Sequence, residues 1–271
     1  MKDSLRALLA RSGAVPPRHV VREFLQVRIL EAMQHAGATS SLAFHGGTAL
    51  RLLYLTPRFS EDLDFAYGPA DGEFDMAALG AAIADDLRQE AYDVQVAVKT
   101  ATVVAKGFVK FRGILHEMDV SPLRDETMLI KLEVDTNPPP GAVLATDRVP
   151  RAYGPPVRVL HHDQSTLMAG KIAAVLTREW VKGRDVYDLV WYATNAVWPP
   201  PNLAYLNASV RQSGWSGADV TEANWRELAW DRLARDADWR EVRGDVERFV
   251  QRAGDVDLVS AEAVRIALTG K

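Results

Sequence analysis

The sequence predicts an α+β fold in two lobes: mixed sheet and helix over residues 1–160, then an all-helical lobe over 161–271. Three observations carry this. Short apolar or alternating runs at 42–45, 62–67, 92–98, 107–112, 127–135 and 157–160 have the length and period of strands. Longer stretches of helical spacing separate the first of them. Beyond His161 only the helical period remains, and all seven tryptophans (Trp180, Trp191, Trp198, Trp215, Trp225, Trp230 and Trp239) fall there.

Pro16-Pro17 opens a helix whose apolar positions run from Val20 through Met33, and Gly37 stops it. Residues 42–45 form a strand that runs into Gly46-Gly47. A short helix follows from Thr48 to about Tyr54. The next strand begins at the acids Asp62 and Asp64, with Leu63, Phe65 and Tyr67 on its other face. Asp71-Gly72 reads as a turn, and 74–90 as an amphipathic helix with Met76, Leu79, Ile83 and Leu87 on one side. Strands at 92–98 and 107–112 precede a loop from His116 to Glu126. Between Thr127 and Asp135, Leu132 and Val134 alternate with Lys131, Glu133 and Asp135, and the prolines at 138–140 end that strand. After a last short strand at 157–160, His161-His162 reads as a turn. Helices are predicted at 163–178, 184–194, 202–212, 219–236, 239–252 and 259–268, with the tryptophans as their core.

Composition bounds the function. There is no cysteine, which excludes disulfides, thiolate metal sites and cysteine nucleophiles. A net charge of −4 gives no global basic footprint for nucleic acid, so any such surface has to be local. No run approaches the ~20 apolar residues of a membrane span, and a soluble, cytoplasmic protein is expected.

The chemistry concentrates at 44–65. Asp62 and Asp64, two apart on a strand, point to one face, where like charges repel unless a hard divalent cation holds them. Alternating acids alone also occur on solvated strand faces. The glycine turn just upstream gives this pair a purpose: Gly46 and Gly47 let backbone approach a ligand closely, and a helix opening at Thr48 offers N–H groups to a phosphate. Glu133, or Asp135 beside it, is the candidate third carboxylate of a metal site suited to phosphoryl or nucleotidyl transfer. Lys171 sits among Leu167, Met168, Ala174 and Val175, where its ammonium needs a facing anion, either a nucleotide phosphate or a carboxylate across a helix pair. Asp185, in the first turn of the next helix, is placed to cap it, to orient Lys171 or to meet substrate. Arg184 and Asp188 are spaced for a surface pair. Arg178, Lys182 and Arg184 form a local basic patch.

Gly46-Gly47-Thr48-Ala49-Leu50-Arg51, Ser60-Glu61-Asp62-Leu63-Asp64, Lys131-Leu132-Glu133-Val134, and Lys171 with Arg178 and Arg184-Asp185-Val186-Tyr187-Asp188 resemble the AbiEii/AbiGii-type toxins of type IV toxin–antitoxin systems. That resemblance, over residues 44–189, implies a polymerase-beta-like nucleotidyltransferase core with a helical C-terminal lobe. It implies a magnesium-dependent transfer from a nucleoside triphosphate, often CTP or another pyrimidine, to the 3′ end of tRNA, with translation blocked and an antitoxin as partner. By position, Gly46, Gly47 and Thr48 would hold the triphosphate, and Asp62, Asp64 and Glu133 the metal. Lys171 would contact phosphate, and Asp185 would support catalysis. Threonine stands at 48 where the wider superfamily has serine, and keeps the hydroxyl. Transfer to a small molecule or a protein side chain, or nucleotide binding without catalysis, are the competing expectations.

Overall fold

The computed structural model describes residues 2–68, 74–100, 102–150 and 155–271. The expected turn at Asp71-Gly72 lies outside them. The chain divides into two units: the first holds residues 1–54, 61–138 and 146–161, and the second holds 55–60, 139–145 and 162–271.

In the first unit the order is α1 (Lys2–Arg11), α2 (Pro17–His35), β1 (Leu42–His45), α3 (Gly46–Tyr54), β2 (Leu63–Tyr67), α4 (Met76–Gln89), β3 (Val94–Lys99), β4 (Val104–Arg112), the short α5 (Ile114–Glu117) and β5 (Thr127–Asp135). Strands β6 (Leu144–Val149) and β7 (Val157–His162) complete it. Among the described residues seven strands form one mixed sheet in the order β3-β4-β5-β2-β1-β7-β6. β1 runs antiparallel to β2 and parallel to β7, while β2 runs parallel to β5. Period-2 alternation puts Leu63 and Phe65 in the core and leaves Asp64 on the opposite face. In β5 it buries Met128, Ile130, Leu132 and Val134 and leaves Lys131, Glu133 and Asp135 on the face of Asp64. α2 and α4 pack together over the apolar face through Leu25, Ile29, Ile83 and Leu87, all fully buried. Each such side chain contributes about 1.5–3 kcal/mol of burial.

Three features differ from expectation. α1 was not anticipated: Leu5, Leu8 and Leu9 stand at helical spacing, but the run is only ten residues long and only Leu5 is buried. β6 follows the prolines as an edge strand whose burial does not alternate, so it lacks the period-2 signature. His161 and His162 end β7 in full burial instead of forming a turn, with His161 Nε2 3.2 Å from Asp147 Oδ2.

The second unit is helical from α6 (Gln164–Thr177) through α7 (Gly183–Ala193), α8 (Leu203–Gln212), α9 (Trp225–Asp236), α10 (Trp239–Glu247) and α11 (Ala261–Thr269). Side-chain caps fix four of the starts: Asp163, Asn202, Asp238 and Ser260 accept from first-turn backbone N–H groups. The core is Ile172, Val186, Leu189, Leu206, Val210, Leu233 and Val246. Of the tryptophans only Trp225 is fully buried. Trp198, Trp215, Trp230 and Trp239 pack at the margin, and Trp180 is 64% exposed. No helix among the described residues is long and apolar enough to cross a membrane.

Candidate active site

The glycine turn and the two acids meet in the first unit. Antiparallel pairing sets His45 opposite Asp64, so the turn that follows His45 arrives beside the start of β2. Gly46 has φ +77°, a conformation glycine adopts without cost. A Cβ there would stand 2.4 Å from Asp64 Oδ2, so backbone lies directly against the carboxylate and any larger residue would push Asp64 aside. Gly47, Thr48, Ala49 and Leu50 are buried in α3. Thr48 donates its hydroxyl to the Asp62 carbonyl, tying the first turn of α3 to the strand that carries both acids. Its hydroxyl therefore holds the turn together, and what α3 presents to a ligand is its N-terminal backbone, where the first N–H groups have no intrahelical partner and the dipole is positive.

The acids crowd each other. Burial, followed by the charge of Asp64, pushes the Asp62 carboxyl up from its ordinary range; Lys131 offsets this in part, while Glu133 and Glu61 add to it. Glu133 lies beside Asp64 in register, and its Oε1 receives Lys131 Nζ at 2.6 Å, with Lys106 Nζ at 3.5 Å. Asp135 accepts from the Asn137 N–H at 2.9 Å and caps the turn after β5. A divalent cation would suit Asp62 and Asp64 by charge, since it would offset both the burial that chiefly raises Asp62 and the neighbouring charge of Asp64. Among the described residues no three acids or histidines are grouped around one ion position, and Glu133 is already engaged by two ammonium groups.

Lys171 and Asp185 lie in the second unit, inside a buried ionic cluster. Lys171 Nζ is 2.9 Å from Asp185 Oδ1 and 2.7 Å from Asp188 Oδ2, so carboxylates on the neighbouring helix supply the anions its apolar setting demands. Arg178 reaches Asp185 Oδ2 at 2.8 Å. Burial pulls the lysine down, but Asp185 and Asp188 outweigh it and leave the ammonium raised above its ordinary value. For Asp185 burial works upward, yet Lys171 and Arg178 hold it down at about 2.

Sequence reasoning missed Arg58. It is 2% exposed and grips Asp188 with both arms, Nε to Oδ1 at 2.6 Å and Nη2 to Oδ2 at 2.5 Å. Asp188 is thus a buried hub and not the surface partner of Arg184, which instead pairs with Asp245 at 3.5 Å and lies over the Phe249 ring. Two cations of the expected basic patch, Arg178 and Arg184, are therefore spent on internal acids.

The model of the nucleotidyl transferase AbiEii toxin family, type IV toxin–antitoxin system, matches residues 28–265. The chain belongs to that family. Among curated proteins there is no match. Two solved structures share the fold of this AbiEii-family chain. JHP933 from Helicobacter pylori is 16% identical with a TM-score of 0.54, over 93% of this chain and 92% of that one. A protein of H. pylori described as a candidate nucleotidyltransferase is 16% identical with a TM-score of 0.53, over 93% and 95%. The α+β architecture and the kinship expected from the motifs are both borne out.

Proposed function

We propose that this AbiEii-family protein transfers a nucleoside monophosphate from a nucleoside triphosphate, CTP or another pyrimidine, to RNA. The 3′ end of tRNA is the foremost acceptor, so that translation stops until a cognate antitoxin intervenes in the same cytoplasm. The observation that carries the reading is the contact of the Gly46 backbone with Asp64, with Thr48 tying the same turn to Asp62. It supports a site where the N-terminal N–H groups of a helix and two crowded carboxylates act on one phosphate chain.

In the reaction an acceptor hydroxyl attacks the α-phosphorus, its proton leaves, and the bond to the bridging oxygen breaks to release pyrophosphate. Gly46, Gly47 and the N-terminus of α3 bind the triphosphate through backbone N–H groups. Asp62 and Asp64 would hold the proposed magnesium, with Glu133, or Asp135 in its place, as the third ligand. Bound there, the ion would neutralise charge on attacking and leaving oxygens. Within the second unit, Asp185 is proposed to keep Lys171 charged and oriented. The protein's contribution is positioning and electrostatics.

The test is incubation with each triphosphate labelled at the α-phosphate and separate pools of RNA, protein and small metabolites. Label is expected at RNA 3′ ends and is expected to vanish in Asp64→Asn. Label on protein or metabolites, or triphosphate binding with no pyrophosphate released, would replace this reading with one of its competitors.

A further inference from the structure

The face of the sheet that carries Asp64 continues outward over β5, β4 and β3, and its composition changes as it goes. Register pairs Asp64 with Glu133, Glu133 with Lys106, and Lys106 with Lys99, one row from the sheet interior to its edge. The adjacent row pairs Lys131 with Phe108 and Phe108 with Ala97, and the next pairs Leu129 with Lys110 and Lys110 with Gln95. Alternation puts all of these on the side opposite the core, where Lys99, Lys110 and Leu129 are exposed and Phe108 is half-buried. Lys131 and Lys106 share Glu133, but Lys99 and Lys110 make no ion pair among the described residues. Lys99 instead lies over the Phe108 ring, 5.7 Å from its centroid. In a chain of net charge −4, four lysines around an accessible aromatic ring on one face form a local basic surface.

We propose that this face of β3, β4 and β5 is the track for the single-stranded 3′ end of the RNA acceptor. Lys99, Lys106 and Lys110 meet its phosphates, and Phe108 stacks on a base. The inference rests on the proposed RNA-directed transfer and adds where the acceptor lies. Charge complementarity selects a polyanion. The aromatic ring set among the lysines favours nucleic acid over an acidic peptide, since a base stacks on the ring while its phosphates reach cations on either side. Continuity with Asp64 gives the strand a destination, because the track leads row by row to the acids where its terminal hydroxyl would react. Strand spacing makes the span from Asp64 to Lys99 about 14 Å, three steps of about 4.8 Å.

The experiment uses the full chain without triphosphate, so that nothing turns over. Affinity for a pool of deacylated tRNA is measured by fluorescence anisotropy from about 50 to 300 mM salt, and affinity for CTP separately. The double variant Lys99→Ala/Lys110→Ala is expected to weaken tRNA binding about tenfold or more at low salt. It should also flatten the slope of log K against log salt by about 1.4, two contacts at about 0.7 each. Phe108→Ala is expected to weaken binding about tenfold with the slope unchanged. CTP affinity should hold within twofold in both, and matching melting temperatures verify that the variants fold. If the wild-type protein binds tRNA and the variants bind it equally well, the track is refuted while RNA-directed transfer stands. Loss of CTP affinity with tRNA binding intact would make the face a triphosphate site and refute it as well. A wild-type chain that binds no tRNA overturns both.

Discussion

Replacing Gly46 by alanine tests the contact on which the active-site reading depends. The perturbation has two parts. At φ +77° an L-residue pays about 1–2 kcal/mol for the left-handed conformation. The new Cβ would also lie 2.4 Å from Asp64 Oδ2, where ordinary contact begins at 3.4 Å, so the carboxylate has to retreat by about one ångström. The first part lowers the melting temperature by a few degrees for a chain of this size. The second displaces a charge that must be placed to within fractions of an ångström, and a shift of that size costs about a hundredfold in rate. Single-turnover transfer with saturating triphosphate, beside a thermal melt, separates the two. Gly244→Ala is the control: it lies in helix α10 with no heavy atom within 4 Å of the added Cβ, so activity should be unchanged and stability slightly raised. A Gly46→Ala protein that melts lower yet transfers within threefold of wild type would show that Asp64 need not sit against the turn, and the active-site reasoning would fail.

Other expectations follow from the electrostatics. Because the Asp62 carboxyl is pushed above its ordinary range, its contribution to folding is greatest below the unfolded pKa of about 3.9 and is lost as pH rises through the folded value. Asp62→Asn should therefore raise the melting temperature at pH 7, with a gain that shrinks toward pH 4, while transfer is lost; a variant less stable at pH 7 would contradict this. Asp185 behaves oppositely. Held at about 2, it stabilises above about pH 4 by about 2 kcal/mol, and that is lost as pH falls toward 2, so acid unfolding of Asp185→Asn should be flatter in that window. Arg58→Met and Asp188→Leu should each cost about 3–5 kcal/mol in urea unfolding by stranding a buried charge, and the double variant less than either alone. Additive losses would mean the pair is not coupled. Lys171→Ala faces two buried acids as well, so its loss of activity has to be read beside a melt, with Lys171→Arg as the charge-preserving comparison.

What the sequence discloses and what it hides divide along a physical line. The path from β1 through α3 to β2 is legible because its signals are local: a glycine pair between an apolar run and alternating acids leaves the backbone few choices. Likewise Leu132 and Val134 announce β5 by themselves. β6 is silent because an edge strand with little to bury has no period to display. Asp188 is misread because helix arithmetic sees only Arg184, four residues back, whereas its partner Arg58 is 130 residues away in sequence. Lys171 shows the intermediate case: its apolar neighbours state that an anion is required and the next helix offers Asp185 among its readings, but only the fold adds Asp188. Thr48 is legible as to place and not as to duty, since its hydroxyl goes to the Asp62 carbonyl.

The membership of residues 55–60 in the helical unit has a consequence for dissecting the protein. That short stretch leaves the sheet after Tyr54 and returns four residues after Arg58 carrying Asp62, so the polypeptide is laced through both units and no single scissile point separates them. A chain severed after His161 would retain Arg58 but forfeit Asp188, leaving a guanidinium without its counter-charge just ahead of the acids. Such a fragment is expected to be more stable with Arg58→Met, which removes the stranded charge.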